Sequence, residues 1–196
     1  MGPMRFKRSA FVVLLVLVLA HLSAGSIDVI NLGFDTFVFF LDGDRITISV
    51  SEARQGTDLN GDGDTLDTVF HVHDAATSTT VNVGLAIGGF VLDGNLVAFS
   101  VFEARQGTDL NGDGDTSDGV LHVHDAATST TVNVGLAVSD DLAFLDGERM
   151  AFLVREARQG NTDLNGDGDT GDAVLHLHDA ATSATVNVGL AALRQA

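Results

Sequence analysis

A ten-residue stretch with oxygen donors at fixed intervals recurs three times in this chain. The first copy reads Asp58-Leu-Asn60-Gly-Asp62-Gly63-Asp64-Thr-Leu-Asp67. The second places Asp109, Asn111, Asp113, Asp115 and Asp118 at the same intervals, and the third Asp163, Asn165, Asp167, Asp169 and Asp172. Hard oxygen donors of this kind suit a hard cation. Calcium takes six to eight oxygens at about 2.3–2.6 Å, from carboxylates, amide oxygens and backbone carbonyls. Donors at alternate positions of a tightly curled loop turn inward together, and Gly63 allows the sharp bend at positive φ. Each copy packs four carboxylates into ten residues with no Lys or Arg among them. Their mutual repulsion is relieved by a cation; without one, the stretch reads as a solvated acidic turn.

The spacing resembles the calcium loops of EF-hand, dockerin and integrin-type repeats. Positions 1, 3, 5 and 6 of an EF-hand loop correspond to Asp58, Asn60, Asp62 and Gly63, and position 7 to Asp64, which can offer its carbonyl. Position 12, an acid in the EF-hand, is Val69 here. Asp67 at position 10 is the substitute, close to the position 9 Asp that closes integrin-type loops. The resemblance implies calcium at about three ions per chain. Magnesium fits less well, because it keeps its waters and uses fewer protein ligands.

Two other patterns recur. His71-Val-His73 returns at 122–124 and 176–178. Histidines two apart on a strand share a face and could bind zinc, but no third ligand is placed, so packed histidines between sheets are the expectation. Glu52-Ala-Arg54 reads as a charge pair on one strand face, with ion pairing as its ordinary role. Alternatively, Glu52, Glu103 and Glu156 fold back on the acidic loops as further ligands or as acceptors behind them. No catalytic constellation stands out. There is no phosphate-cradling glycine loop ahead of a helix and no serine in a nucleophile setting, so the expectation is a non-enzymatic protein.

The elements that carry these loops are repeats. Glu-Ala-Arg-Gln-Gly occurs at 52–56, 103–107 and 156–160, and His71 to Ala86 matches His122 to Ala137 residue for residue. Asn161 is a one-residue insertion in the third copy. Each unit divides into four strand-like runs. In the second these are Phe90–Leu92, Leu96–Phe102, Val120–His124 and Thr131–Leu136. Val97, Phe99 and Val101 alternate onto one face. Asp125 and Thr128 bond local amides to hold the turn between the last two runs. No segment beyond residue 26 has helical period, so the expected class is all-β, with three four-stranded antiparallel units.

The run Leu121-His-Val-His-Asp-Ala-Ala-Thr resembles the third strand and turn of TolB-type and WD40-like β-propeller blades, with His where those blades carry Trp or Tyr. The resemblance covers most of residues 27–192 and implies propeller-type blades. A stacked or open β-repeat is the alternative. Three blades do not close a ring, since propellers use four to eight. This implies a partial propeller, one completed by another chain, or a shortened array. The expected boundaries are a leader at 1–26, a lone strand at 27–34, repeats at 35–86, 87–137 and 138–192, and a tail at 193–196. The apolar residues of the lone strand, Val29, Ile30, Leu32 and Phe34, point to self-association at that edge.

Composition narrows the partners. The chain carries 27 Asp and Glu against 10 Lys and Arg, a net charge of −17, which repels nucleic acid. With no Cys, disulfides and thiolate metal sites are excluded. Arg5, Lys7 and Arg8 precede an apolar run from Phe11 to Ala20 and small residues at 23–26, the layout of a helical signal peptide. That predicts a secreted protein, extracellular or periplasmic, with no stable membrane span after cleavage. The expected role is a calcium-binding module for structure or recognition. The rivals are a calcium-dependent propeller hydrolase of lactonase or phytase type and a truncated array. No protein or glycan partner is named by the sequence.

Overall fold

The computed structural model describes residues 16–19, 28–34, 36–42, 44–138 and 144–192. The chain is all-β, its strands paired antiparallel throughout. The strands are β1 (Val16–Leu19), β2 (Asp28–Asn31), β3 (Thr36–Asp42), β4 (Arg45–Ser51), β5 (Thr68–Asp74), β6 (Thr79–Asp93), β7 (Leu96–Phe102), β8 (Gly119–Asp125), β9 (Thr130–Ala137), β10 (Phe144–Asp146), β11 (Arg149–Arg155), β12 (Ala173–Asp179) and β13 (Ala184–Ala191). They form a two-stranded sheet, β1-β2, a seven-stranded row, β3 to β9 in sequence order, and a four-stranded sheet, β10 to β13. Among the described residues no pairing joins the ends of these rows into a ring.

The three repeats pair in the same register. His71 stands opposite Ile48 and Asn82, His122 opposite Phe99 and Asn133, and His176 opposite Phe152 and Asn187. The last two strands of each repeat shift register at one equivalent place, between Val69 and His71, Val120 and His122, and Val174 and His176. Gly84, at φ 72, sits in the first of these bulges, a conformation that glycine adopts without strain. The hairpin turn is built as its sequence suggests. Asp125 Oδ1 accepts the Ala127 amide at 2.8 Å, and Thr128 Oγ1 donates to Asp125 Oδ2 at 2.9 Å.

Alternation places two cores on the two faces of the middle repeat. Val97, Phe99 and Val101 pack with Phe70, Val72 and Ile87 of the strands before them. Ala98, Leu121 and Val123 turn the other way and pack with Met150, Phe152 and Val154 of the third repeat. Period-two side chains on a sheet buried from both sides serve two neighbours at once. The repeats therefore stack face to face.

Three features differ from the sequence reading. First, the fourth strand of repeat 1 does not stop before the first strand of repeat 2. Both belong to β6, which pairs with β5 through its first half and β7 through its second. Gly88 lies in the register shift between Ile87 and Phe90, with the Ser100 hydroxyl and the Phe102 ring where a Cβ would stand. Second, Glu-Ala-Arg-Gln is not strand. It forms one-turn helices α1 (Glu52–Gln55) and α2 (Glu103–Gln106), and a 3-10 turn at Glu156–Arg158. One turn is too short to show in periodicity. Gly56 ends α1 in the left-handed region, its amide bonded to Glu52 O at 2.6 Å. Third, the segment at 27–34 is not a lone edge. Asp28–Asn31 pairs with Val16–Leu19, and Leu32 and Phe34 pack on Ile46, Ile48 and Val50. Val16–Leu19, expected inside a signal helix, is strand; its alternating Val and Leu suit a pleated ladder. The rest of the leader, its basic residues included, and the tail at 193–196 lie outside the described residues.

Candidate metal centre

Each acidic loop leaves and re-enters the sheet at one point. Ser51, the last residue of β4, stands opposite Thr68, the first of β5. One residue further out, the Glu52 amide donates to Asp67 O at 3.0 Å. The ladder thus sets Glu52 and Asp67 side by side, although they are fifteen residues apart in sequence.

Glu52 then ties the loop together. It is fully buried. Its Oε1 accepts the Leu59 amide at 2.6 Å and the Asn60 amide at 3.3 Å, and its Oε2 accepts the Asp67 amide at 3.0 Å. Glu103 does the same for Leu110, Asn111 and Asp118, and Glu156 for Leu164 and Asp172. The fourth strand adds a second clasp: Asn82 Nδ2 donates to Leu59 O at 2.9 Å, with Asn133 and Asn187 in the same role.

Inside the loop, each acid folds the backbone that follows it. Asp58 accepts the amides of Gly61 and Gly63 at 2.6 and 3.1 Å. Asn60 accepts that of Asp62, Asp62 that of Asp64, and Asp64 that of Leu66. These are Asx turns in series. Gly61 and Gly63 take φ of 81° and 100° to let the chain curl. The second and third loops repeat the pattern, with Asp109 and Asp163 at the hub.

The curl brings three carboxylates together in each repeat: Glu52, Asp64 and Asp67; Glu103, Asp115 and Asp118; Glu156, Asp169 and Asp172. In each triad the oxygens lie within 4.8 Å of one another. Two oxygens bound at about 2.4 Å to one ion stand at most about 4.8 Å apart, so each triad could hold a metal ion. Asn60 reaches Asp67 Oδ2 at 3.3 Å, and Asn165 reaches Asp172 at 3.0 Å. Asp62 shares a side-chain hydrogen bond with Asp67. Asp58, Asp109 and Asp163 stand outside the triads, with both carboxylate oxygens accepting glycine amides. The buried Glu of each triad is absent from the acidic stretch itself. Its signal in sequence is the Glu-Ala-Arg-Gln-Gly repeat, whose Glu lies six residues before the stretch in the first two copies and seven in the third.

The electrostatics are those of crowded carboxylates. Burial, then the hydrogen bond and charge of Asp62, push Asp67 up to about 6. Burial, then the charges of Asp113, Asp115 and Glu103, push Asp118 up to about 6. For Asp172 the Asn165 amide favours the charged form, but the hydrogen bond to Asp167, desolvation and neighbouring charge outweigh it and the carboxyl rises. Asp62 goes the other way, because the Asp64 amide donates to it. The two carboxyls are pushed in opposite directions, so in the metal-free pair the proton is favoured on Asp67 over Asp62.

Neighbouring repeats touch the loops. Asn60 Nδ2 donates to Arg105 O, and Asn111 Nδ2 to Arg158 O, both at 3.2 Å, while the Gly160 amide donates to Asp113 Oδ2 at 3.0 Å. Arg105 Nε stands 4.0 Å from Asp67 Oδ1, a partly exposed pair worth little.

The histidine pairs are packed into the sheets. His71, His122 and His176 are buried, with Nδ1 near the carbonyl two residues back and rings against Phe34, Phe99 and Phe152. Desolvation lowers the pKa of His71, His73, His122, His124 and His178. Among the described residues the acidic groups able to hold a metal contain no histidine, and no helix is long and apolar enough to cross a membrane.

No protein-family model matches the chain, and no curated protein matches it.

Proposed function

We propose that this chain is a secreted, calcium-binding β-repeat module with a structural or recognition role and no catalysis. The observation that carries the reading is the triad of hard oxygen donors, built the same way in all three repeats around a buried glutamate. The donors are carboxylates without nitrogen or sulfur, which suits calcium over zinc. Asn60 and Asp62 stand beside the first triad, each hydrogen-bonded to Asp67. In this reading the repeats are propeller-type blades in an open array, and the face-to-face packing of successive repeats supports it. Export is supported by the basic and apolar leader alone.

Calcium in this reading is a staple. It neutralises each loop and locks it to the end of its sheet. A ligand bound only to the folded state adds about 2.7 kcal/mol per site at a hundredfold excess over Kd. Affinity in the range of extracellular modules, roughly 10⁻⁴ to 10⁻³ M, is expected. Calorimetric titration of the chain should give about three calcium ions bound, with magnesium competing poorly, and chelation should lower the melting temperature. A titration without heat, or equal preference for magnesium, would remove the proposal.

A further inference from the structure

We infer that the cleft between the second and third repeats, at the hairpin end of the sheets, binds a guanidinium group carried on an aliphatic stem. The acidic loops lie at the other end of the strands, so this site stands apart from any metal. Its template is in the chain itself. In the equivalent cleft between repeats 1 and 2, the place is taken by Arg45. The Arg45 guanidinium pairs with Asp74 of its own repeat, and its Nε donates to Asn95 Oδ1 of the next at 3.2 Å. The Arg45 and Asp74 side chains are only 17% and 19% exposed. Arg45 lines both of the cavities, about 410 and 280 Å³, into which that cleft is divided.

The second cleft keeps this frame and lacks the arginine. Leu96 stands at the position of Arg45, Asp125 at that of Asp74, and Glu148 at that of Asn95. All three line one undivided cavity of about 450 Å³, within the size range of small-ligand pockets, and no Lys or Arg lines it. A neutral residue has replaced the cation, and an acid has replaced the amide that accepted from it. Asp125 spends two of a carboxylate's roughly four acceptor positions on the Ala127 amide and the Thr128 hydroxyl. Asp93 Oδ2 accepts the Gly147 amide at 2.6 Å, which ties the turn carrying Glu148 to repeat 2.

A buried group with an unfilled hydrogen bond faces the same space. His178 lines the cavity and is 3% exposed. Its Nδ1 is bonded to Thr185 Oγ1 at 2.8 Å, and its Nε2 has no partner among the described residues. Its counterpart in the first cleft, His124, meets the Phe70 ring edge-on, whereas repeat 2 carries Leu121 at the Phe70 position. With the Nδ1 proton turned to Thr185, Nε2 is an acceptor. A guanidinium brings five N–H donors in one plane, enough to serve two carboxylates and an imidazole. An ammonium has three donors and no plane to match a carboxylate. Leu96, Val123 and Val132 supply an apolar wall for the stem, which a bare metal ion would not use.

Ligand-detected NMR titration of the full chain with butylguanidinium tests this. The expected result is saturable binding with a Kd on the order of 1 mM, the scale for so small a ligand. Butylurea, its neutral analogue, should bind about tenfold more weakly or not at all. Leu96→Arg supplies the group from within and should abolish binding with the β-sheet circular dichroism retained. Asp125→Asn together with Glu148→Gln keeps the shapes and the turn acceptor, removes both charges, and should weaken binding about tenfold. An acetylated, amidated Gly-Arg-Gly peptide separates two sources of the same chemistry. It binds like butylguanidinium where the ligand is an arginine of a polypeptide, and fails to bind where the cleft admits only a free alkylguanidine. Absence of saturable butylguanidinium binding, equal binding of butylurea, or binding undiminished in the double variant or in a folded Leu96→Arg chain would overturn the inference.

Discussion

Glutamate 103 offers the sharpest test of how the loops are held. It is fully buried in the middle repeat and accepts the amides of Leu110, Asn111 and Asp118 at 2.6, 3.2 and 3.1 Å. Glu103→Ala removes all three bonds. The Leu110 and Asn111 amides are part-buried and regain water, whereas the Asp118 amide is buried and is left without an acceptor. An orphaned buried amide costs about 1–3 kcal/mol, and bonds to a charged acceptor about 1.5–3 kcal/mol each before rehydration. Relief from burying the carboxylate offsets part of this, and the net loss is about 3 kcal/mol. For a chain of this size each kcal/mol moves the melting temperature about 2–4 °C, so the drop should be about 6–12 °C. The melt is run in chelator, which separates the effect from any lost metal. Glu103→Gln is the discriminating variant. Its amide group brings a donor where the carboxylate presented an acceptor to backbone amides on both oxygens, so it should fall within about 1 kcal/mol of Ala. A Gln variant that melts like the parent chain would show that the carboxylate is not what closes the loop.

Two further outcomes follow from the geometry. Asp67 and Asp118 rise to about 6, so below that pH the metal-free folded sites hold protons that a cation must displace. Affinity at these sites should fall about tenfold per pH unit below about 6, with protons released on binding; calorimetry in buffers of different ionisation heat reads both, and a flat affinity from about pH 7 to about pH 5 would contradict the burial of these acids. Gly88→Ala sets a Cβ against the Ser100 hydroxyl and 2.9 Å from Phe102 Cε2. It should cost about 1–3 kcal/mol by overpacking, with Ser100→Ala in the same chain relieving part of the loss; thermal melts of the single and double variants check this.

The sequence by itself determined the repeat, the all-β class, the alternation of Val97, Phe99 and Val101 onto one face, and the acidic loops with their inward curl. All of these are local: period two, glycine at positive φ, and an Asx oxygen reaching an amide two residues on. It did not determine that β6 runs unbroken from one repeat into the next, because a bulge at glycines reads as a turn when neighbouring strands are unknown. Nor did it settle Glu52, whose charge looked like one half of a pair with Arg54. Only the register of β4 against β5 places that carboxylate beside Asp67, fifteen residues away, and only burial makes it an acceptor for the loop's amides. The same holds for Phe144 and Leu177 of repeat 3: their counterparts Val91 and Val123 pack in the core between repeats, yet these two are 85% and 46% exposed. Spacing along a chain specifies what a segment can form; which groups share a site, and which faces stay exposed, depends on contacts between segments far apart in sequence.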